Sequence, residues 1–340
     1  MMNICICGYY GMGNFGDELF LETFRQTMAG HRVFPWAPYM DISRIDAVVI
    51  GGGDLITPYK FNTFYFPSGL EKLPLWVYGV GIVDYYPPKT WPEAEVEKYR
   101  AYLSQAKQVC LRDERSTELA RGIRLHDRIS TVPDVAFGLR EPGFPIRRFS
   151  SLPTIGLCIF AYKEFPLQKV IELGTKWCKD GYAVVLLPVV NQSNNPYADA
   201  ALCKQVKEGI AAAYPRAQVL HPGIQYDLQV AYSYVQSVDL LVSFKLHPAL
   251  VGLRGGIPTL CLTKMSKVRS LFEAYALDDF VLNYEQPIET IRERFALLAR
   301  DGKARLGAAS SKLRQTEAAS SASLNALRRE IESTVNKPGI

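Results

Sequence analysis

A lysine and a histidine stand two residues apart in the stretch SFKLHPALVGLRGG, which begins at Ser243. The apolar run Leu240–Ser243 predicts a strand, and Pro248 suits the first turn of a following helix. Lys245 and His247 would then lie at the turn between them, where open α/β sheets bind ligands. Imidazole transfers protons near neutral pH, so His247 is the candidate acid–base group. The alternative, that His247 only caps the helix, stays open.

A glycine-rich loop, GYYGMGNFGDE over Gly8–Glu18, separates the first predicted strand from the first predicted helix. Glycine accepts positive φ and lets backbone N–H groups approach a ligand, and a helix N-terminus beyond such a loop attracts anions. The spacing matches neither the dinucleotide fingerprint nor a P-loop. The loop predicts a binding surface. The alternative is an ordinary turn in which Asn14 or Asp17 caps the helix.

Two further glycine groups, GGGD at 51–54 and YGVGI at 78–82, each follow a predicted strand. They predict a floor of bare backbone at the strand ends, onto which a bulky ligand can settle. The charged stretch LRDERS places Arg112 and Asp113 at another strand end. The alternative for this stretch is a charged turn in which Asp113 caps the next helix.

Short apolar runs alternate with amphipathic stretches along the chain. This alternation is typical of parallel sheets covered by helices on both faces. A break rich in Pro, Arg and Ser at 140–153 divides the pattern into two series. We therefore predict two α/β domains, residues 1–145 and 152–340, with ligands bound beyond the carboxyl ends of the strands.

Helical stretches are predicted near both ends of the chain. Leu19–Met28 places large apolar residues at i, i+4 and i+8, on one face of a helix. The tail Pro287–Asn336 is rich in Ala, Arg, Leu and Ser. Its two glycines, Gly302 and Gly307, predict that the tail is divided into more than one helix.

The composition excludes several classes of protein. The 340 residues are 48% hydrophobic and carry a formal net charge of +5, which suits an anionic substrate but, without basic runs, argues against nucleic acid. Seven scattered cysteines lack zinc or redox spacing, which favours small core residues in a reducing cytoplasm. No two histidines lie at the spacing of metal ligands, so we predict no bound metal ion. We also expect no cofactor. Neither a signal peptide nor a membrane span is expected.

These stretches together resemble the polysaccharide pyruvyl transferase family. The glycine loop is similar to the family's opening G-x-x-N-x-G-D loop, and VVIGGGDLI, YGVGI, LRDERS and PDVAF are similar to its later motifs in the same order. SFKLHPALVG resembles its R-L-H motif, and LTKMSKVRSLF its downstream lysine segment. The resemblance runs from about residue 3 to residue 275, and the ordered set makes it specific.

The resemblance implies two Rossmann-like domains facing across a cleft, similar to the GT-B glycosyltransferases. It also implies transfer of the pyruvyl group from phosphoenolpyruvate to a sugar of a polysaccharide or its precursor, as a cyclic ketal. The first domain would hold the acceptor and the second the donor. Because the donor carries a carboxylate and a phosphate, the site must supply cations.

The motif positions carry over specific roles. His247 is expected to protonate the methylene carbon of the donor, and Asp17 to act as a base or to orient acceptor hydroxyls. The expected donor-binding residues are cations: Lys163, Lys245, Arg254 and Lys267. The expected acceptor-binding residues are Asn14, Gly16, Asp54 and Arg112. Lys245 stands where the family commonly has Arg, which keeps the charge but loses the bidentate fork.

Two other functions stay open at this point. A nucleotide-sugar glycosyltransferase of the same architecture would need a base-stacking pocket and a diphosphate site in the second domain. A non-catalytic carbohydrate-binding protein would bind sugars without turnover. The partners implied by the resemblance are phosphoenolpyruvate and a sugar or lipid-linked oligosaccharide. The implied process is exopolysaccharide or cell-envelope biosynthesis. The implied location is the cytoplasm, and the alternative is peripheral contact with the inner face of the membrane.

Overall fold

A computed structural model describes residues 1–57, 59–83, 90–160, 165–191, 199–225 and 227–335. Contacts between residues divide the chain into two compact units. The first unit comprises Met1–Gly11, Gly16–Arg140 and the chain from Gln315 on. The second unit comprises Met12–Phe15 and Glu141–Arg314.

The first unit is an α/β unit built on one sheet. Its strands are β1 (Asn3–Cys7), β2 (Arg32–Pro35), β3 (Ala47–Ile56), β4 (Leu75–Ile82), β5 (Ala106–Leu111) and β6 (Ile129–Thr131). Its helices are α1 (Phe15–Thr27), α2 (Glu93–Leu103) and α3 (Glu114–Gly122). All strand pairs are parallel, in the order β2-β1-β3-β4-β5-β6. Every residue of β4 is buried, as is typical of a parallel strand covered on both faces.

Helix α1 follows the amphipathic pattern that its sequence predicts. Phe20, Phe24 and Met28 are all fully buried, in agreement with their i, i+4, i+8 spacing. Asp17 lies in the first turn and Arg25 in the last, so each charge complements the partial charge of its end of the helix. The apolar face thus packs into the core while the helix ends carry the charged residues.

The glycine groups at 51–54 and 78–82 lie inside β3 and β4, so the prediction of a bare floor beyond the strand ends is wrong. A Cβ atom at Gly51 would lie 2.6 Å from the Phe24 ring, and one at Gly52 would lie 2.4 Å from Phe20. These two glycines therefore let α1 approach the sheet closely. The φ angle of Gly52 is +73°, in the left-handed region that favours glycine.

The second unit is also built on one sheet. Its strands are β7 (Thr154–Cys158), β8 (Ala183–Leu186), β9 (Val219–Leu220), β10 (Leu240–Ser243), β11 (Thr259–Leu262) and β12 (Val281–Leu282). Its helices are α4 (Leu167–Lys179), α5 (Asp199–Ala213), α6 (Leu228–Gln236), α7 (Leu246–Arg254) and α8 (Ser266–Glu273). The strands are parallel, in the order β12-β11-β10-β7-β8-β9. Two separate parallel sheets with helices confirm the predicted α/β class.

The C-terminal tail is a single helix, α9 (Ile288–Val335), so the predicted division at Gly302 and Gly307 is wrong. A glycine inside a helix costs only about 1 kcal/mol relative to alanine, which tertiary packing readily offsets. A Cβ atom at Gly302 would lie 2.9 Å from Pro258, so close packing favours glycine at this position. Among the described residues, no helix combines the length and apolar character needed to cross a membrane.

The two halves of α9 group with different units. The predicted second domain of residues 152–340 included the whole tail, but the chain from Gln315 on groups with the first unit. There the hydroxyl of Tyr78 donates a hydrogen bond to Ser323 Oγ at 2.8 Å. Leu324 is buried in the same unit, where a Cβ atom at Gly138 would collide with it. Side-chain packing over long sequence distances therefore assigns this half of the helix.

Candidate active site

His247 lies in the first turn of α7, directly after β10. The N-cap residue of this helix is Lys245, so the alternative that His247 is only a cap is wrong. Ser243 holds the turn, because its Oγ accepts from the Lys245 N–H at 3.1 Å and donates to the Lys245 carbonyl at 2.7 Å. The half-buried imidazole thus stands at the carboxyl end of a central strand, where the sequence predicts it.

Lys245 forms an ion pair with Asp199, the first residue of α5. Its Nζ atom lies 3.1 Å from Oδ1 and 2.9 Å from Oδ2 of the carboxylate. Asp199 is fully buried and the side chain of Lys245 is 18% exposed, so both charges are largely withdrawn from water. A buried pair of this kind needs good geometry to offset the cost of desolvation. The predicted donor ligand Lys245 therefore already binds a carboxylate of the protein itself.

The backbone that follows β8 holds Asp199 in place. Its Oδ2 accepts from the Val189 N–H at 3.0 Å and from the Val190 N–H at 2.9 Å. Its own N–H donates to the Val190 carbonyl at 3.0 Å. The Asp199 carboxylate also affects two buried thiols, those of Cys158 and Cys203. Burial raises the pKa of each thiol, and the negative charge of Asp199 raises it further. The carboxylate of Asp199 is therefore held by two backbone N–H groups and by the Lys245 ammonium.

Asn14 groups with the second unit and not, as predicted, with the acceptor side in the first. It forms an isolated antiparallel bridge with Val190, the residue whose N–H binds Asp199. The Phe15 N–H donates to the Val189 carbonyl at 2.9 Å, and the Asn191 N–H donates to the Gly13 carbonyl at 2.8 Å. Backbone pairing therefore places this part of the glycine loop beside residues 189–191, two of which bind Asp199.

The remaining predicted donor ligands are spread over the second unit. Arg254 lies in the last turn of α7, about 10 Å along the helix axis from His247, with its Nε 3.8 Å from Glu141 Oε1. The structure does not bring it to His247. Lys267 lies in the first turn of α8, directly after β11, which is the neighbour of β10. Its backbone therefore lies at the same edge of the sheet as His247. Lys163 lies outside the described residues.

Four aromatic rings gather near the carboxyl ends of β7 and β10: Phe160, Phe165, Phe244 and Tyr284. The centroids of Phe165 and Phe244 are 5.4 Å apart, and those of Phe160 and Phe244 are 5.6 Å apart. Phe244 is fully buried and Tyr284 is 6% exposed. These rings pack against one another at tilted or edge-on angles and so stabilise this end of the second unit's core.

In the first unit, Asp54 and Arg112 form an ion pair in which the arginine is buried and the aspartate is partly exposed. The Asp54 Oδ1 accepts from Arg112 Nη2 at 2.5 Å, and the side chain of Arg112 is only 6% exposed. Asp113 and Asp134 lie 3.4 and 3.9 Å from Arg112 Nε. Burial alone would lower the pKa of Arg112, but the three carboxylates together raise it. Arg112 therefore positions Asp54. Both stay predicted acceptor residues, and Asp54, which is 27% exposed, is the more accessible of the two.

Two neighbouring positions shape this ion pair. A Cβ atom at Gly81 would lie 2.5 Å from both Arg112 Nη2 and Asp54 Oδ1, so only glycine leaves room for the pair. Asp113 is the N-cap of α3, where its Oδ1 accepts from the Ser116 N–H at 2.7 Å. The alternative given for the LRDERS stretch, a charged turn capped by Asp113, is thereby confirmed.

Asp17 lies in the first turn of α1 and approaches the backbone of β3. A Cβ atom at Gly53 would lie 3.1 Å from Asp17 Oδ1. Burial raises the pKa of Tyr65 to about 12, and the charges of Asp17 and Asp54 contribute to this shift. Asp17 and Asp54 therefore lie close enough to Tyr65 to influence its pKa, and we refer to these three residues as the cluster of the first unit.

The glycine loop is closed by its own side chains. The Gly11 N–H donates to Glu18 Oε1 at 2.7 Å, and the buried Tyr10 hydroxyl donates to the Gly51 carbonyl. Gly16 is the second residue of α1. Because the Gly11 N–H is already satisfied, it is not part of an anion cradle.

Two residues of the candidate site, Asp199 and Ser243, were not predicted from the sequence. Asp199 opens an Ala-rich helix three residues after Pro196, and an acidic residue at such a position is a helix-start signal that could have singled it out. Ser243 ends β10 and reads as an ordinary strand residue. Among the described residues, no three His, Cys, Asp or Glu side chains are grouped to hold a metal ion.

Most of the chain, including these residues, matches one protein family. The model of the polysaccharide pyruvyl transferase family matches residues 14–263, which is more than half of the chain. The chain belongs to the polysaccharide pyruvyl transferase family. The match spans Asn14 and Asp17 at one end and His247 at the other, so both clusters lie within it. No curated protein matches the chain.

Solved structures show the fold that this member of the polysaccharide pyruvyl transferase family shares. S. aureus MnaA with UDP aligns over 100% of this chain and 99% of its own, at 13% identity and a TM-score of 0.64. Sucrose-phosphate synthase from Thermosynechococcus elongatus aligns over 98% and 100%, at 12% identity and a TM-score of 0.62. Anabaena HepE in complex with UDP-glucose aligns over 98% of this chain and 100% of its own, at 11% identity and a TM-score of 0.62. These proteins have the GT-B fold, which confirms the predicted fold class.

Proposed function

We propose that this protein transfers the pyruvyl group of phosphoenolpyruvate to two hydroxyls of one sugar residue, forming a cyclic ketal. The observation that carries the proposal is the position of His247, in the first turn of α7 at the carboxyl end of β10, within the region that matches the family. A half-buried imidazole at a helix start can both give and take a proton.

The proposed reaction assigns one proton transfer to carbon. His247 in its protonated form donates to the methylene carbon of phosphoenolpyruvate, and the first sugar hydroxyl attacks the cationic centre that results. The C–O bond to phosphate then breaks, and the second hydroxyl closes the ring. Of the two hydroxyl protons, one returns to His247 and the other leaves with the phosphate. The products are the pyruvyl ketal and hydrogen phosphate, so protons and charge balance.

On the acceptor side we propose the cluster in the first unit. Carboxylates accept hydrogen bonds from sugar hydroxyls, and Asp17 and Asp54 supply two of them. Arg112 holds Asp54 in one orientation, which makes the acceptor site rigid. Tyr65 adds a phenol at the same cluster, and, like an ordinary tyrosine, it is protonated at neutral pH and can donate a hydrogen bond.

The proposal is tested by supplying the protein with phosphoenolpyruvate and a panel of free and lipid-linked glycosides. Phosphate release is measured together with the mass gain of one pyruvyl ketal on the sugar. Matched reactions contain UDP-glucose or UDP-GlcNAc in place of phosphoenolpyruvate, since structures with this fold bind such donors. Ketal formation supports the proposal. Glycosyl transfer from a nucleotide sugar, or sugar binding without turnover of any donor, would overturn it.

A further inference from the structure

The ion pair between Lys245 and Asp199 changes the role expected of Lys245. A lysine ammonium has three donors, and here it meets both oxygens of one carboxylate at 2.9 and 3.1 Å. Among the described residues, Asp199 is the anion that lies within salt-bridge distance of Lys245. The pair is neutral as a whole. An anionic donor would therefore gain little net attraction from it.

Asp199 is held in its orientation by the backbone. One of its oxygens accepts two backbone N–H groups, from Val189 and Val190, and its own N–H binds the Val190 carbonyl. It is also the first residue of α5, so its backbone is fixed by that helix. The geometry therefore makes Asp199 the fixed member of the pair and Lys245 the side chain that it holds.

Lys245 in turn stands at the start of α7. It is the N-cap residue, and Ser243 Oγ binds both its N–H and its carbonyl. His247 follows two residues later, in the first turn of the same helix. Because only one residue separates them along the backbone, a displacement of the Lys245 backbone would shift that of His247 as well.

We propose that Asp199 is a positioning residue that orients His247 through Lys245, and that Lys245 is a structural partner of Asp199 and not a ligand of the donor. The kinetic part of this inference rests on the proposed pyruvyl transfer. The structural part does not, because it concerns only the coupling between two side chains.

The structural part is tested with a double-mutant cycle in urea unfolding: Lys245→Met, Asp199→Asn and the double variant. Removing one partner leaves a buried charge alone, so each single variant should lower the unfolding midpoint clearly. The double variant should lose much less than the sum of the two. Lys176→Met is the matched control, because its ion pair with Asp180 has a similar length of 2.7 Å but is exposed. Strict additivity in the cycle would overturn the inference.

The kinetic part separates binding from positioning. A positioning role predicts that Lys245→Met and Asp199→Asn lower kcat by a similar factor, on the order of tenfold or more, with KM for phosphoenolpyruvate changed less than about threefold. The double variant should be no slower than the slower single variant. A donor ligand would instead show a KM raised on the order of a hundredfold in Lys245→Met alone, which would contradict us.

The two experiments distinguish a failure of the proposed function from a failure of the inference about Lys245 and Asp199. If the wild-type protein turns over no phosphoenolpyruvate, the proposed function fails, and the unfolding cycle alone decides the coupling of Lys245 and Asp199. If Lys245→Met does not fold, Lys245→Gln replaces it, because an amide can still donate to Asp199 without the charge. In that series a midpoint equal to the wild-type value would overturn the inference, and a lowered midpoint that Asp199→Asn restores would support it.

Discussion

Arg112 and Asp54 are joined at 2.5 Å by the last atoms of two side chains that are 58 residues apart in the sequence. The pair forms because β3 and β5 flank β4 in the sheet, and because Gly81 of β4 leaves space for both side chains. Asp54 lies in β3 and Arg112 directly follows β5. The orientation of the proposed acceptor carboxylate is therefore a property of the sheet.

Arg112→Met should destabilise the protein. It removes the cation that lies among three carboxylates and leaves Asp54 without this partner, at a cost of about 3 kcal/mol in the free energy of unfolding. The free energy is measured by urea denaturation. Arg121→Met is the control, since Arg121 is 55% exposed and lies 3.8 Å from Glu114. An equal effect of the two substitutions would refute the structural role of Arg112.

Gly81→Ala should weaken the same pair by sterics alone. The added Cβ would lie 2.5 Å from each member, so one side chain has to move. We expect a lower unfolding midpoint and impaired acceptor use, with donor affinity unchanged. Gly122→Ala is the control, because nothing lies within 4 Å of a Cβ atom there. If Gly81→Ala matches Gly122→Ala in both readouts, the crowding at Gly81 has no consequence.

Asp17→Asn should keep the fold and impair acceptor use. The amide replaces one acceptor oxygen by a donor group, so a sugar hydroxyl that donates to Asp17 loses its partner. The KM for the glycoside should rise while the affinity for phosphoenolpyruvate stays the same, as measured by initial rates and by donor titration. Loss of donor binding with intact acceptor affinity would move this cluster to the donor side.

His247→Ala should reduce turnover by about 10²–10⁴ while the melting temperature stays near the wild-type value, because a positioned acid–base group contributes rate enhancements of that order. His247→Asn keeps a polar side chain but cannot shuttle the proton, so it should be equally slow. Rates are compared under saturating donor, with thermal unfolding as the check on folding. Full activity of a folded His247→Asn variant would transfer the search for the acid to Asp17 or Asp54.

The contact between Glu332 of α9 and His31 should stabilise the first unit at neutral pH and lose this effect in acid. His31 Nδ1 accepts from the Met2 N–H, so its Nε2 donates to Glu332 Oε1 at 2.9 Å. This bond and the one from Arg328 lower the pKa of Glu332. A lowered folded-state pKa stabilises the fold above the ordinary glutamate value of about 4.3, and this stabilisation is lost as the pH falls through the folded value.

Glu332→Gln should therefore lower the urea midpoint at neutral pH, and the gap to wild type should close below the ordinary glutamate pKa. Unfolding curves over a pH series measure the gap. Glu330→Gln, two residues away on the same helix, is the control and should show a smaller gap. A gap that persists unchanged into acid would mean that the ionised carboxylate is not the cause.

Much of the local structure was predictable because its signals act over a few residues. The turn from β10 into α7 follows from Pro248 in the first helical turn and from Gly255 at the end of the helix, where it is the C-cap. The apolar spacing in α1 and the cap at Asp113 are local in the same way. The tail was harder, because a glycine in a helix is a weak local signal that packing at Gly302 overrides.

The amino-acid sequence by itself determined the α/β class, the place of His247 after a strand and the family to which the chain belongs. Only the tertiary structure decided which charges meet. Lys245 pairs with Asp199 across 46 residues and Arg112 with Asp54 across 58. Propensities and caps operate within a turn or two of the chain, whereas these pairs depend on strand order and on the space that glycines leave between neighbouring strands. Lys245 therefore reads as a ligand in the sequence and lies in the structure as the partner of a buried carboxylate.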